Sequence, residues 1–167
     1  MGPAGSGKTT VGKLLASQLS WEFADADDLH PRANIEKMSR GVGLTDEDRL
    51  PWLQFIRAAM LQWEAQNRYA ALACSALKRG YRELLGVDTD PNVKLVYLKG
   101  SYELLRERLH SRAGHYAGEK LLAGQLADLE EPTDALILEA ANSPEELVSQ
   151  IRRQLNLPRL DRTPSGA

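Results

Sequence analysis

The sequence predicts an α/β fold: a mostly parallel sheet with helices on both faces, opened by a phosphate-binding loop. Three observations lead there. Gly2-Pro3-Ala4-Gly5-Ser6-Gly7-Lys8-Thr9 fits the P-loop spacing G-x-x-x-x-G-K-[ST]. Short apolar runs alternate with stretches of helical periodicity, the order that builds parallel sheets from crossover units. Tyr69 to Ser75 is continuously small or apolar, as a strand covered on both faces should be.

The loop comes first because its chemistry is the most specific. Small residues let successive backbone N–H groups converge on phosphate oxygens, and the helix that follows presents free N–H groups and a positive dipole end. Gly2, Pro3, Ala4, Gly5, Ser6, Gly7, Lys8, Thr9 and Thr10 therefore form the expected nucleotide-binding loop. In that role Lys8 reaches the β- and γ-phosphates of ATP, and the Thr9 hydroxyl ligates Mg²⁺. At ordinary glycine frequencies a chance match is expected in well under ~1% of chains this long.

Val11, Leu14, Leu15 and Leu19 recur at helical spacing from Lys8 to Leu19. Trp21 to Ala24 reads as a short strand ending at Asp25-Ala26-Asp27-Asp28. Pro31 can open a short helix that Gly41 closes. Thr45 suits the N-cap of a long helix to about Asn67, with Asp46, Glu47 and Asp48 in its first turn and Pro51 a possible bend. After the strand Tyr69–Ser75, Lys78 to Leu85 reads as a helix stopped by Gly86, and Val93 to Leu98 as a strand. Ser101 can cap a helix to about Arg112. Gly114 to Gly118 reads as a mobile hinge, Glu119 to Leu129 as a helix and Ala135 to Leu138 as the last strand. Ser143-Pro144-Glu145-Glu146 combines an S-x-x-E capping box with proline at the first helical position of a helix to about Leu157. Residues 158–167 read as a polar, disordered tail, leaving 1–157 as one domain.

Composition narrows the class. Hydrophobic residues make up 43% and charged residues 26%, with a formal net charge of −2 and no basic block, so nothing points to nucleic acid. No apolar run is long enough for a membrane span. No secretory h-region precedes the loop, and a lone cysteine, Cys74, cannot form an internal disulfide, so a cytoplasmic setting is expected. A buried strand position makes Cys74 core rather than reactive.

A P-loop specifies nucleotide, not reaction. The second informative stretch runs from Asp25-Ala26-Asp27-Asp28-Leu29-His30-Pro31 through Asn34, Lys37, Met38 and Asp46 to Asp48-Arg49 and Pro51-Trp52. Carboxylates two apart at a strand's C-terminal end emerge at the ligand edge of a parallel sheet. One can accept a proton from a substrate hydroxyl while another orients Mg²⁺ through water. An isolated acidic turn is more often a solvated helix cap, and the neighbouring motifs decide against that.

Together GPAGSGKTTVGKLLA, DADDLHPRANIEKMSRGVGLTDEDRLPWL, ACSALKRGYRELL and VYLKGSYELLRERLHSRAGHYAGEKLLAGQLADLEEP closely resemble the gluconokinases of the P-loop kinase superfamily. The likeness covers Gly2 to about Leu157, and HP-x-x-N-x-x-KM, D-x-DR-x-PWL and CSALK are its most specific parts. It implies the P-loop kinase fold with sheet order 2-3-1-4-5 and a small lid at about 106–129. It also implies ATP and Mg²⁺ as cofactors, transfer of the γ-phosphate to the 6-hydroxyl of D-gluconate, and a homodimer as a family-level expectation. Asp27 is then the expected acceptor of the hydroxyl proton and Asp25 the residue nearer Mg²⁺, with the reverse split as the alternative. His30 and Arg49 are expected substrate contacts, with a helix cap as the plainer role for His30. Arg49, Lys78 and Arg82 can supply charge for the sugar-acid carboxylate, each also able to be a surface ion pair. Arg108 and Arg112, one turn apart, are expected in the lid, where arginines neutralise charge on the transferring phosphoryl group. Asn142 to Pro144 would lie near adenine by analogy.

Three features depart from the family pattern. The hinge Gly114-His115-Tyr116-Ala117-Gly118 and Gly124-Gln125-Leu126 stand where the family carries GHF, Met-Pro and SQF, and Gly43 replaces a usual proline. Only Met1 precedes Gly2, whereas a buried strand should lead into the loop. Losing four or five buried apolar side chains is worth on the order of 6–15 kcal/mol, against a total stability of about 5–15 kcal/mol. Residues 1–167 alone are therefore expected to be weakly folded or inactive. The alternatives left open are another small-molecule kinase of the shikimate type and a catalytically impaired nucleotide-binding protein.

Overall fold

A computed structural model describes residues 1–111 and 115–157. The elements follow in the expected order: α1 (Lys8–Leu19), β1 (Glu22–Asp25), a 3₁₀ turn (Ala26–Leu29), α2 (Arg32–Ser39), α3 (Asp46–Ala65), β2 (Ala70–Ala73) and α4 (Arg79–Leu84). Then come β3 (Val96–Lys99), α5 (Tyr102–His110), α6 (His115–Ala127), β4 (Leu136–Glu139) and α7 (Pro144–Gln154). Local chemistry sets several boundaries. Thr45 and Asp48 form a reciprocal capping box at α3, Ser143 and Glu146 form another at α7, and Ser101 Oγ accepts from the Leu104 N–H. Val93–Lys94–Leu95 stay outside β3 because Pro91 and Asn92 turn there, and the Asn92 N–H bonds Asp90.

The strands pair as two parallel ladders, β1 with β2 and β3 with β4. Met1 and Gly2 bridge them. The Met1 amino group donates to the Val96 carbonyl, Met1 O accepts from the Leu98 N–H at 3.0 Å, and the Gly2 N–H donates to Ser75 O at 3.2 Å. The spatial order is thus β1, β2, the Met1–Gly2 segment, β3, β4, which matches the 2-3-1-4-5 arrangement with Met1–Gly2 in the central position.

Apolar side chains fill both faces of this sheet. On one face Val11, Leu15 and Leu19 of α1 meet Leu147, Val148 and Ile151 of α7 over Ala71, Leu98 and Leu138. On the other, Trp52, Leu53 and Ile56 of α3 meet Tyr81 and Leu85 over Met1, Cys74 and Tyr97. Adjacent Tyr97 and Leu98 go to opposite cores, as the period of two in a strand requires. Burial pushes the Cys74 thiol up to about 11, so it is inert as expected.

One expectation is corrected. His115 to Gly118 are the first turn of α6 rather than a hinge. A single helical glycine costs only about 1 kcal/mol, which the fully buried Leu122 further along α6 outweighs. Arg112, Gly114 and residues 158–167 lie outside the described residues.

Candidate active site

The P-loop joins the sheet to α1 through backbone that only glycine tolerates at three points, Gly2, Gly5 and Gly7. A Cβ on Gly2 would stand 2.8 Å from the Leu98 carbonyl oxygen. Gly7, at φ +96°, is the left-handed residue from which α1 starts at Lys8. Lys8 Nζ folds back to donate to Pro3 O at 2.9 Å. The Ala4 N–H donates to Gln125 Oε1 of α6 at 2.6 Å. Sequence reasoning placed Gln125 only at the position of the family's SQF motif, because a glutamine on a helix carries no signal of what it will touch 121 residues away.

Asp25 and Asp27 come to the same place at the end of β1. Thr9 Oγ1 donates to Asp25 Oδ2 at 2.8 Å, and Asp25 Oδ1 accepts the Asp27 N–H at 3.2 Å. A hydroxyl and a carboxylate side by side are hard oxygen donors that suit Mg²⁺. Among the described residues no cluster of three or more His, Cys, Asp and Glu offers an all-protein metal cage. Mg²⁺ bound mainly by nucleotide phosphates and a few protein oxygens needs none. Asp27 has its pKa raised, first by desolvation and then by the Asp25 carboxylate, against the pull of Lys8 and His30. Lys8 has its own pKa lowered by burial, opposed by Asp27 and Asp25.

His30 closes the 3₁₀ turn and stacks flat on Trp52, ring centroids 4.2 Å apart and planes 13° from parallel. Trp52 Nε1 donates to Ala26 O at 2.7 Å, which ties α3 beneath the acidic turn. Asn34, buried in α2, donates from Nδ2 to Asp48 O at 2.9 Å. Arg49 lies over the Tyr81 ring, 5.8 Å from its centroid. Lys78 donates to both carboxylate oxygens of Asp46 at 2.8 and 3.0 Å, and the Tyr81 hydroxyl donates to the same carboxylate. That partnership holds the Asp46 pKa low.

Arg82 differs from its expected role. It is buried, and Nη1 donates to the Ala76 and Leu77 carbonyls at 3.1 and 2.8 Å. It braces a loop in which Ala76 sits at φ +45°, a strained conformation for a residue with a Cβ. Arg108 lies on the wall of a cavity of about 230 Å³ with Gly5, Gly7, Thr10, Ser111, Asn142 and Pro144. The structure thus brings Lys8, Thr9, Asp25, Asp27 and His30 together, with Arg49 beside them. Arg108 and Asn142 lie on the α7 side of the loop, and Arg112 is outside the described residues.

The family model described as Shikimate kinase matches residues 4–156. The Thermoresistant gluconokinase of Escherichia coli K12 is 43% identical over 143 residues, covering 83% of this chain and 81% of that protein. The Gluconokinase of Gluconobacter oxydans is 47% identical over 134 residues, 80% and 75% respectively. The chain belongs to the gluconokinase family. A solved gluconokinase from Sinorhizobium meliloti 1021 is 37% identical and superposes with TM-score 0.76 over 93% of both chains. A sugar kinase from Janibacter sp. HTCC2649 superposes with TM-score 0.83 at 39% identity, over 94% of this chain and 92% of the other. Shikimate kinase from Aquifex aeolicus, at 17% identity and TM-score 0.53, shares the fold alone.

The raised pKa of Asp27 carries a stability sign. Between the ordinary carboxylate pKa and its higher folded value, the folded state binds more protons than the unfolded one. Stability is therefore lost as pH rises through that window. Asp27→Asn is expected to raise the melting temperature at neutral pH and to leave it nearly unchanged near pH ~3.5, below the unfolded pKa. Equal melts of the two proteins at neutral pH would mean that the ionised Asp27 costs the fold nothing.

Proposed function

We propose that this protein transfers the γ-phosphate of ATP to the 6-hydroxyl of D-gluconate, giving 6-phospho-D-gluconate and ADP. The observation that carries the reading is Asp27, a carboxylate with raised pKa beside Lys8 and His30 at the mouth of the P-loop. A base poised this way can take the hydroxyl proton as the bond from O6 to phosphorus forms and the bond to the ADP oxygen breaks. The backbone N–H groups of Gly5 and of Gly7 to Thr10 would hold the phosphates, and Lys8 would neutralise charge on the β- and γ-phosphates. Thr9 and Asp25 would hold Mg²⁺, which supplies positive charge to the phosphate oxygens.

Substrate recognition falls to Asp25, Asp27, His30, Arg49 and Lys78, with Arg82 shaping the loop before Lys78. Lys78 must share itself between Asp46 and the sugar-acid carboxylate. Residues 1–157 form one kinase domain in this reading. The segment at about 106–129 is its lid, with Arg108 as the arginine that meets the phosphoryl group, and the cavity lined by Asn142 and Pro144 is the adenine side. Among the described residues no helix is long and apolar enough to cross a membrane. A cytoplasmic location and a homodimer belong to the same proposal, resting on the family resemblance.

ATP turnover is to be measured over a panel of aldonic acids and shikimate. Gluconate-dependent ADP release with formation of the 6-phosphate is the expected result, and turnover with shikimate alone would overturn the proposal. Asp27→Asn is expected to lower kcat by about 10²–10⁴-fold while ATP affinity stays within a few-fold. Lys8→Ala should damage both. Retention of more than about a tenth of the rate by Asp27→Asn would move the base to Asp25.

A further inference from the structure

Histidine donates a hydrogen bond from one ring nitrogen and accepts at the other when neutral, so the proton's position decides what the ring can recognise. At His30 that position follows from groups outside the catalytic turn. Asn34 lies one helical turn after His30, 5% exposed, with its amide between two partners. Its Nδ2 is 2.9 Å from the Asp48 carbonyl oxygen and 3.4 Å from His30 Nδ1. A backbone carbonyl can only accept, so the amide must turn its NH₂ and not its oxygen toward Asp48. The same NH₂ then faces His30 Nδ1, which must carry a lone pair. Stacking on Trp52 keeps the ring in that plane.

We propose that Asn34 is a positioning residue that fixes neutral His30 with its proton on Nε2, so that the ring offers the substrate cleft a donor. A hydroxyl needs an acceptor for its proton and accepts at its oxygen. His30 Nε2–H and the Asp27 carboxylate supply these two complementary functions, and a sugar hydroxyl can answer both at once. The pairing rests on the gluconate-kinase reading above, though the tautomer does not. The charged groups around the ring are Asp27 from the 3₁₀ turn and Arg49 from α3. The Asp48 carboxylate is held by Lys37 and by the Thr45 N–H and hydroxyl. Burial lowers the His30 pKa, Asp27 opposes this and Arg49 adds to it, so the net direction favours the neutral ring. HP-x-x-N was visible in the sequence, but the role of Asn34 required seeing Asp48 O on its far side.

Long-range imidazole ¹H–¹⁵N spectra of the intact ligand-free protein test this directly, because it has three histidines and His30→Gln assigns the signal. The expected result is protonated Nε2 and bare Nδ1 above the His30 pKa. Asn34→Asp puts an acceptor against Nδ1 and is expected to move the proton there and raise the pKa by about one unit. The acid limb of kcat/KM for gluconate should shift the same way. If Asn34→Asp does not fold, Asn34→Ala serves, with a mixed tautomer and about tenfold lower kcat/KM for gluconate at unchanged KM for ATP. A wild-type His30 carrying its proton on Nδ1, or an unaltered tautomer and pKa in the folded variant, overturns the proposal. Absence of gluconate turnover in the wild type would instead overturn the functional reading and leave the tautomer result standing.

Discussion

Backbone pairing of Met1 and Gly2 between β2 and β3 is the constraint on which the other features depend. Three hydrogen bonds, to Val96, Leu98 and Ser75, fasten the start of the P-loop to both halves of the sheet. They fix where the loop leaves the sheet, hence where α1 begins, hence where Lys8 and Thr9 stand relative to the end of β1. Met1 also packs in the core beside Trp52, Cys74 and Tyr97, so the same residue that joins the ladders helps seat α3. The Gly2 position admits no side chain because Leu98 O already occupies that space.

Around that anchor the site is a balance of charges held partly out of water. Asp25 and Asp27 repel each other, and desolvation weighs further against Asp27. Lys8 answers both, at the cost of its own desolvation. Asp25 is shielded by the Thr9 hydroxyl and the Asp27 N–H, while Asp27 keeps its raised affinity for a proton. Two carboxylates two residues apart thus acquire different environments. Hydrogen bonds to backbone carbonyls also hold the site, from Trp52 to Ala26 O, from Asn34 to Asp48 O and from the Arg82 guanidinium to the Ala76 and Leu77 carbonyls. Each fixes the backbone or ring plane of a segment that bears a site residue.

Much of this was legible in the chain because it depends on near neighbours. The P-loop spacing, the N-cap at Thr45, the capping box at Ser143 and the alternation of strands with helices are local, and the structure carries all of them. The start of α6 was misread for the same local reason. Glycines suggested a break, and the burial of Leu122 that favours the helix is a tertiary fact. Arg82 was expected to supply charge to the sugar-acid carboxylate, and its burial against the Ala76 and Leu77 carbonyls is a tertiary fact that nothing local announces.

The sequence by itself determined the class of fold, the phosphate-binding loop and the acidic turn facing it, since spacing along the backbone imposes these. Only the tertiary structure decided which groups those residues meet. Asn34 reaches Asp48 across 14 positions, Lys78 reaches Asp46 across 32, and Ala4 reaches Gln125 across 121. The physical reason is that hydrogen bonds and desolvation act over a few ångströms of space. Chain separation says nothing about that distance until the sheet and its two cores have brought the segments together.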